Sequence, residues 1–195
     1  DKPDFTGKLL LHIGAADQIA DIYVNQKELF HHEGGYEAFT ADITDVLEAE
    51  NELIIQVFDD LRDLSFSYGK QTLKRGGMWY TPVSGIWQSV WLESVPQQHI
   101  ASLDIRVTTT DATITVSPAL EGTVRCEGID YPLHNGRAVI VPNDPHCWTP
   151  EDPYLYDFTV ETAEDSVESY FALRTIQCKE VKGIPRLLLN GKPYF

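Results

Sequence analysis

Two adjacent aspartates, Asp59 and Asp60, are the residues of this sequence best placed to do chemistry. They follow directly on the alternating apolar residues Leu53, Ile55 and Val57, which predict a buried strand. A carboxylate at the end of such a strand can accept hydrogen bonds from two adjacent hydroxyl groups, or it can ligate a hard cation. The alternative is a solvated loop in which the aspartate side chain turns back onto backbone amides.

Tryptophans are the second group of candidate residues. Trp79, which precedes Tyr80, could stack on the apolar face of a sugar ring, but such side chains also pack between domains. Trp87 and Trp91 are four residues apart, so one extended strand would place both on the same face. We expect these two side chains to pack in a core or an interface.

The run His31, His32 and Glu33 contains residue types that ligate metals. Consecutive residues of a strand point to opposite faces, so the two histidines cannot reach one ion without a bend. We therefore expect no metal site there, and we interpret the following pair, Gly34 and Gly35, as a tight turn.

Three cysteines, Cys126, Cys147 and Cys178, are widely spaced and form no CxxC motif. An odd number of separated cysteines indicates free, buried thiols in a reduced interior, and it favours a cytoplasmic location. A single bridge between Cys126 and Cys178 stays open as an alternative. The first residues have neither a basic start nor an apolar core, so no signal peptide is visible.

Period-two alternation positions these residues and dominates the chain. Turn residues separate the alternating runs, and Asn135-Gly136 and Asn190-Gly191 predict two tight hairpins, because both central residues of such a turn need a positive φ. At Asn25-Gln26 a glutamine replaces the favoured glycine, which predicts a different turn type or a longer loop. Further strands are expected near residues 103–108, 113–117, 123–127, 138–141, 154–161 and 168–174.

Only one segment has the pattern of a helix. Ile43, Val46 and Leu47 recur at helical spacing behind Asp42 or Thr44, either of which could cap a short turn. Many strands with so little helix predict an all-β chain of sandwich architecture, and 195 residues suffice for two domains, with the break near Pro96.

The charge balance excludes two classes of partner. The chain has 15 basic and 30 acidic residues, and its net charge is -15. Binding to a phosphate backbone requires clustered Lys and Arg, which are scattered here. We therefore expect neither nucleic acid nor an anionic membrane surface as a partner, and no apolar run is long enough for a membrane-spanning helix.

Several segments together resemble one known family. Residues 76–96 read GGMWYTPVSGIWQSVWLESVP, residues 34–39 read GGYEAF, residues 42–47 read DITDVL, and residues 187–195 read LLLNGKPYF. In this order they resemble the N-terminal, non-catalytic domains of glycoside hydrolase family 2, and the resemblance covers nearly all of the chain. It is closest to β-galactosidase-like members.

The resemblance implies a specific domain order. Residues 1–95 would form a jelly-roll-like, galactose-binding-like sandwich that lacks the first strands of the family. Residues 96–183 would form an immunoglobulin-like β-sandwich. Residues 184–195 would be the entry hairpin of an absent (β/α)8 barrel.

The resemblance also implies a function for the parent enzyme, the hydrolysis of O-glycosidic bonds of β-linked sugars. The preferred substrate is a β-galactoside, and a β-glucuronide or β-mannoside is the alternative. The family's catalytic glutamates lie on the barrel, so no catalytic residue is assigned here and the chain alone is expected to be inactive. A free-standing carbohydrate-binding or structural β-sandwich module is the alternative from a different functional class.

Site residues and partners follow from the same resemblance. In β-galactosidases the loop after this strand supplies an aspartate that contacts the sugar and a sodium ion, and Asp59 matches it best, with Asp60 as the nearest alternative. Asp59, Asp60 and Trp79 are therefore the expected substrate-binding residues. The parent would use Na+ or Mg2+, whereas the chain alone would hold no cofactor. Expected partners are the carbohydrate substrate, the parent's own barrel and further copies in a homo-oligomer.

Overall fold

The computed structural model describes residues 3–62 and 65–194, and its regular structure is almost entirely β. The predicted all-β fold class is confirmed. The chain divides into two compact units, Asp1–Gln97 and Gln98–Phe195. Within the described residues, no helix has the length and apolar character needed to cross a membrane.

The first unit consists of two three-stranded antiparallel sheets and a short ribbon. The sheets have the strand orders β5-β1-β8 and β4-β3-β6, and β2 pairs with β7 in the ribbon. The strands are β1 (Lys8–Ile13), β2 (Ala16–Asp17), β3 (Ile19–Val24), β4 (Lys27–Glu33), β5 (Phe39–Asp42), β6 (Leu53–Phe58), β7 (Gly85–Ile86) and β8 (Val90–Val95).

The core of this unit lies between β1 and β3, the central strands of the two sheets. Alternate residues of each strand are buried, as expected for strands with one face toward a core, and in β1 Leu10 is buried as well. The fully or almost fully buried residues of the two strands are Leu9, Leu11, Ile13, Ala20, Ile22 and Val24.

The core is open along β8, which pairs with β1 alone among the described strands. Leu92 pairs with the buried Leu11, and Val90 pairs with the buried Ile13, so the register places all four side chains on one face. Leu92 is nevertheless 49% exposed and Val90 is 40% exposed. Burial of this face is thus complete under the central strand and incomplete at the edge strand.

The second unit contains ten strands in three sheets of orders β13-β10-β9, β12-β11-β14-β15 and β16-β17-β18. Each region predicted as a strand between residues 103 and 174 contains one. The sequence pattern missed β12, in which Pro132 interrupts the alternation, as proline does in edge strands. The strands are β9 (Ser102–Val107), β10 (Ala112–Ser117), β11 (Gly122–Cys126), β12 (Ile129–Leu133), β13 (Arg137–Ile140), β14 (Tyr156–Thr162), β15 (Ser166–Phe171), β16 (Ile176–Val181), β17 (Ile184–Leu189) and β18 (Lys192–Pro193).

The two predicted Asn-Gly turns are confirmed. Asn135 and Gly136 have φ of 48° and 71°, and Asn190 and Gly191 have φ of 50° and 76°. All four values lie in the left-handed region that such turns require. Two similar turns, Glu127-Gly128 and Lys182-Gly183, were not predicted, because their first residues are not typical of this turn.

The expectation for Asn25-Gln26 was wrong. Val24 pairs with Lys27, so the turn has two residues, and φ is 50° at Asn25 and 68° at Gln26. Hydrogen bonds outside the turn hold Asn25 in place. Its Nδ2 donates to Val46 O and to Asn51 Oδ1, both at 2.9 Å, and its Oδ1 accepts from Glu52 N at 2.9 Å. These bonds offset the cost of a left-handed glutamine.

The predicted helix is only a 3-10 turn over Thr44–Val46. Thr44 donates from its backbone N, at 3.1 Å, and from its hydroxyl, at 2.6 Å, to Asp42 Oδ1. Its hydroxyl also accepts a hydrogen bond from Leu9 N on β1 at 2.9 Å. Thr44 is thus bonded to the sheet, and the backbone becomes extended at Leu47. The helix therefore cannot continue past one turn.

The cysteines are free thiols, so Cys126 and Cys178 do not pair. Cys126 is buried, Cys147 is half-buried and Cys178 is exposed. The expectation of buried thiols therefore holds only for Cys126, whose pKa burial raises to about 11.

We expect Gln26→Gly to stabilise the chain by about 0.5–1 kcal/mol, because glycine adopts the left-handed φ without the steric cost of a side chain. Urea denaturation of the two proteins measures the difference. Gln26→Ala is the matched control and should not stabilise. An equal gain from both variants would show that the left-handed backbone is not the source of the effect.

Candidate functional site

The base of the Asp59 loop is tied to Gln18, the residue that follows β2. Gln18 donates from its backbone N to Phe58 O at 3.2 Å, and its side-chain Oε1 accepts from Asp60 N at 3.5 Å. Gln18 is 1% exposed, so these bonds are protected from water. The two aspartates therefore start their loop from a fixed point, directly after β6.

Asp60 is committed to Arg62. Arg62 donates from Nε to Asp60 Oδ1 and from Nη2 to Asp60 Oδ2, both at 2.7 Å, and from its backbone N to Oδ1 at 3.0 Å. These hydrogen bonds lower the pKa of Asp60 to about 2. Both carboxylate oxygens are thus occupied, and Asp60 behaves as the turn-forming aspartate of the structural alternative.

Asp59 differs from Asp60 in its hydrogen bonding and in the direction of its pKa shift. Its Oδ1 is sealed from solvent, and no donor among the described residues reaches it. Burial raises the pKa of Asp59, and the negative charges of Asp17 and Asp60 raise it further. The Nε2 atom of Gln18 is likewise buried without an acceptor. Asp59 therefore keeps an oxygen without a hydrogen-bond partner, whereas Asp60 keeps none.

A shallow pocket of about 340 Å³ lies at the two aspartates. Its exposed wall includes Leu73, which is 72% exposed. Of the residues in this loop, Phe66 is half-buried, while Asp63 and Leu64 lie outside the described residues. The pocket is lined by Asp59, Asp60, Leu61, Arg62, Leu73 and Pro82.

A second pocket, of about 250 Å³, lies at the ribbon formed by β2 and β7. The rings of Tyr36 and Trp87 meet edge to face in its wall, with centroids 5.9 Å apart. The two pockets are electrostatically coupled, because Asp17 lines this one and its charge acts on Asp59. The lining residues are Asp17, Tyr36, Gln71, Val83, Ser84, Gly85 and Trp87.

The structure places Trp87 and Trp91 differently from the prediction. Trp79 is 46% exposed and lines neither of these two pockets, so they do not bring it together with Asp59. Trp87 precedes β8 and is not part of it, so it does not share a strand face with Trp91. Trp91 stacks on His12 with ring centroids 4.8 Å apart, and about half of each tryptophan is exposed. Neither Trp87 nor Trp91 lies in a core.

The two histidines point to different partners. His31 bonds through Nδ1 to Asp21 and through Nε2 to Glu33, and the bond to Asp21 is the main cause of its raised pKa. His32 bonds to Gly34 O at 3.0 Å and stacks on Phe39. Within residues 3–62 and 65–194, no three His, Cys, Asp or Glu side chains are arranged to hold a metal ion. A sodium site at Asp59 remains a prediction.

Asp17 and Gly35 were not identified from the sequence. A Cβ atom on Gly35 would lie 2.5 Å from Asp17 Oδ1, so the glycine is needed for this close approach. The available signal was the double glycine before Tyr36, which was interpreted only as a turn. Its partner is 18 residues away in the sequence, and no local pattern relates the two.

We expect Asp59→Asn and Asp60→Asn to change stability in opposite directions. The raised pKa of Asp59, caused mainly by burial, means that its charge destabilises the fold at neutral pH, so Asp59→Asn should raise the free energy of unfolding at pH 7. The gain should vanish once pH falls below the ordinary value of 3.8, where both states are protonated.

Asp60→Asn should lower stability at pH 7. Its folded pKa of about 2 lies below the ordinary value of 3.8, so the stabilisation is present above 3.8 and is lost as pH falls to about 2. Urea denaturation between pH 2 and pH 7 measures both profiles. Parallel profiles for the two variants would contradict the different environments described above.

Comparison with known proteins identifies relatives of this chain. The model of the family described as glycosyl hydrolases family 2 matches residues 90–174. A β-galactosidase of Thermoanaerobacter pseudethanolicus is 27% identical over 95% of the chain and 28% of its own length. A putative β-glucuronidase of Formosa agariphila is 26% identical over 89% of the chain and 23% of its own length.

Solved structures share the fold. A β-glucuronidase from Ruminococcus gnavus superposes with a TM-score of 0.72 at 22% identity, covering 97% of this chain and 36% of that one. Bacteroides uniformis β-glucuronidase gives a TM-score of 0.66 at 25% identity, covering 96% and 26%. The chain spans about a quarter of the length of the Thermoanaerobacter pseudethanolicus and Formosa agariphila relatives. The matches confirm that this chain resembles a domain fragment of glycoside hydrolase family 2.

Proposed function

We propose that the chain is the non-catalytic front of an enzyme that hydrolyses β-galactosides, in which it supports the catalytic barrel and shapes the rim of the active site. The observation that carries this proposal is Asp59, a carboxylate with a sealed oxygen that no donor satisfies. A buried polar atom without a partner is costly in a folded protein, so such a residue is a candidate for ligand binding.

The chemistry divides between the barrel and this chain. Glycoside hydrolysis needs two carboxyl groups across the scissile bond, and in the family these are on the barrel. Asp59 would accept hydrogen bonds from sugar hydroxyls and so position the ring. The two side-chain hydrogen bonds from Arg62 to the Asp60 carboxylate would hold the loop in the conformation that presents Asp59.

A cation fits the same residue. Sodium and magnesium are hard cations that take oxygen ligands, and the Asp59 carboxylate lines the pocket through which an ion would approach. Asp59 is the residue of this chain that would ligate such an ion, which when bound would orient the sugar hydroxyls.

A β-glucuronide is the second candidate substrate. The Formosa agariphila relative and the solved structures above carry the name β-glucuronidase. Charge argues for the neutral sugar at this site, because Asp17 and Asp59 are neighbouring carboxylates without a cationic partner among the described residues and would repel a uronate.

In the full-length enzyme, we expect Asp59→Ala to raise KM or lower kcat for nitrophenyl β-galactoside by at least about tenfold. Tenfold corresponds to about 1.4 kcal/mol of lost binding or transition-state stabilisation. Asp60→Ala is the matched control and should have a smaller effect on kcat/KM, since its carboxylate serves Arg62. Unchanged kinetics for both variants would show that the loop is only structural.

The chain alone is expected to show no turnover of nitrophenyl β-galactoside, β-glucuronide or β-mannoside above background, because the carboxyl pair would come from the barrel. Spectrophotometric assay of chromatographically pure chain measures this. Turnover that co-elutes with the chain and persists on repurification would contradict the proposal that the barrel supplies both catalytic carboxyl groups.

A further inference from the structure

The pocket at the ribbon of β2 and β7 contains a buried carboxylate. Asp17 is only 8% exposed, yet it lines this pocket of about 250 Å³. Among the described residues, no donor and no cationic side chain bonds to it. The residue is largely shielded from water and lacks an opposite charge, which favours the approach of a cation. An incoming positive charge would therefore be stabilised at Asp17.

Nearby charge adds to this effect. The Asp59 carboxylate is close enough for Asp17 to raise its pKa, so the local field is negative. Arg62 neutralises Asp60 but makes no bond to Asp17 or Asp59. The two remaining carboxylates have no counter-ion in the part of the chain that the structure describes.

The other polar groups of the pocket offer few donors. Trp87 Nε1 already donates to Gly35 O at 2.7 Å. Gln71 donates from Nε2 to Tyr68 O at 3.1 Å, and its Oε1 accepts from Val83 N at 2.6 Å. The second N–H of Gln71 Nε2 and the Tyr36 and Ser84 hydroxyls are the side-chain donors that remain. The Asp17 carboxylate only accepts hydrogen bonds, so a group that only donates suits it.

Aromatic rings complete the wall. Trp87 is 53% exposed and Tyr36 is 54% exposed, so part of each ring is accessible. The faces of tryptophan and tyrosine rings attract cations, most strongly where water is partly excluded. A carboxylate and two rings around one small cavity therefore select positive charge on an apolar stem.

We propose that this pocket binds an alkylammonium group, with its N–H groups donating to the Asp17 carboxylate and its carbon stem lying against Trp87 and Tyr36. The pocket is smaller than the cavities that hold drug-sized ligands, which start at about 300 Å³, so it takes one such group. The ammonium comes either from a lysine side chain of a protein segment or from an amino sugar, and the chemistry at Asp17 is the same for both.

The test is a titration of the 195-residue chain with n-butylammonium chloride, followed by the backbone amide NMR signals of Ser84 and Gly85. n-Butanol has the same stem without the charge, and sodium chloride reproduces the ionic strength. We expect saturable shifts with butylammonium at millimolar concentration and at most a fifth of that response with butanol or sodium. Equal responses to butylammonium and to either control would overturn the proposal.

Variants locate the site. Asp17→Asn should weaken butylammonium binding at least tenfold, and Trp87→Leu, which keeps an apolar side chain, should weaken it at least threefold. Asp157→Asn is the matched control, because it removes one exposed carboxylate from the second unit and should leave binding unchanged. Undiminished binding by folded Asp17→Asn, or by Trp87→Leu if Asp17→Asn does not fold, would overturn the proposal.

Two further ligand pairs distinguish the sources. Nα-acetyl-lysine methylamide is compared with its norleucine analogue, and glucosamine hydrochloride is compared with glucose. Preferential binding of the lysine compound identifies a protein side chain as the ligand, and preferential binding of glucosamine identifies an amino sugar. Failure of both charged ligands to exceed their neutral partners would contradict an ammonium site.

Discussion

The candidate site depends on one buried residue, Gln18. Its backbone N bonds to Phe58 O, its backbone O accepts from Gly34 N at 2.8 Å, and its side chain accepts from Asp60 N. It therefore joins three segments, the end of β6, the double-glycine turn and the aspartate loop. Backbone groups buried in this way must be paired, so the three segments cannot separate without exposing several of them at once. Asp17 and Asp59 are held near each other by this constraint.

The two adjacent aspartates show how position decides the role of a carboxylate. Asp60 finds its partner two residues away, which a short loop supplies at low entropic cost, and its pKa falls. Burial raises the pKa of Asp59, and so do the negative charges of Asp17, from a distant part of the chain, and of Asp60. The Asp60 carboxylate is thus satisfied by a residue close in sequence, whereas the Asp59 carboxylate keeps an oxygen without a partner.

Sequence alone could predict those features that depend on short-range pattern. The alternation in β3, the Asn-Gly turns and the start of the Asp59 loop follow from period-two burial and from the φ requirements of tight turns. The buried strand predicted from Leu53, Ile55 and Val57 forms as β6, but Ile55 and Val57 are only half-buried and Leu53 is 45% exposed. Sequence alone could not predict the conformation of Gln26, which depends on hydrogen bonds from Asn25 to residues more than twenty positions away. The same holds for Asp17 and Trp87, which reach the candidate site only through the pairing of β2 with β7.

The close approach of Gly35 to Asp17 has an evolutionary consequence. A side chain at position 35 would occupy the space that the carboxylate now fills, so neither position can change size independently. Any residue with a Cβ atom at position 35 would have to displace the Asp17 carboxylate from its present place. The effect of a substitution at either position therefore depends on which residue stands at the other.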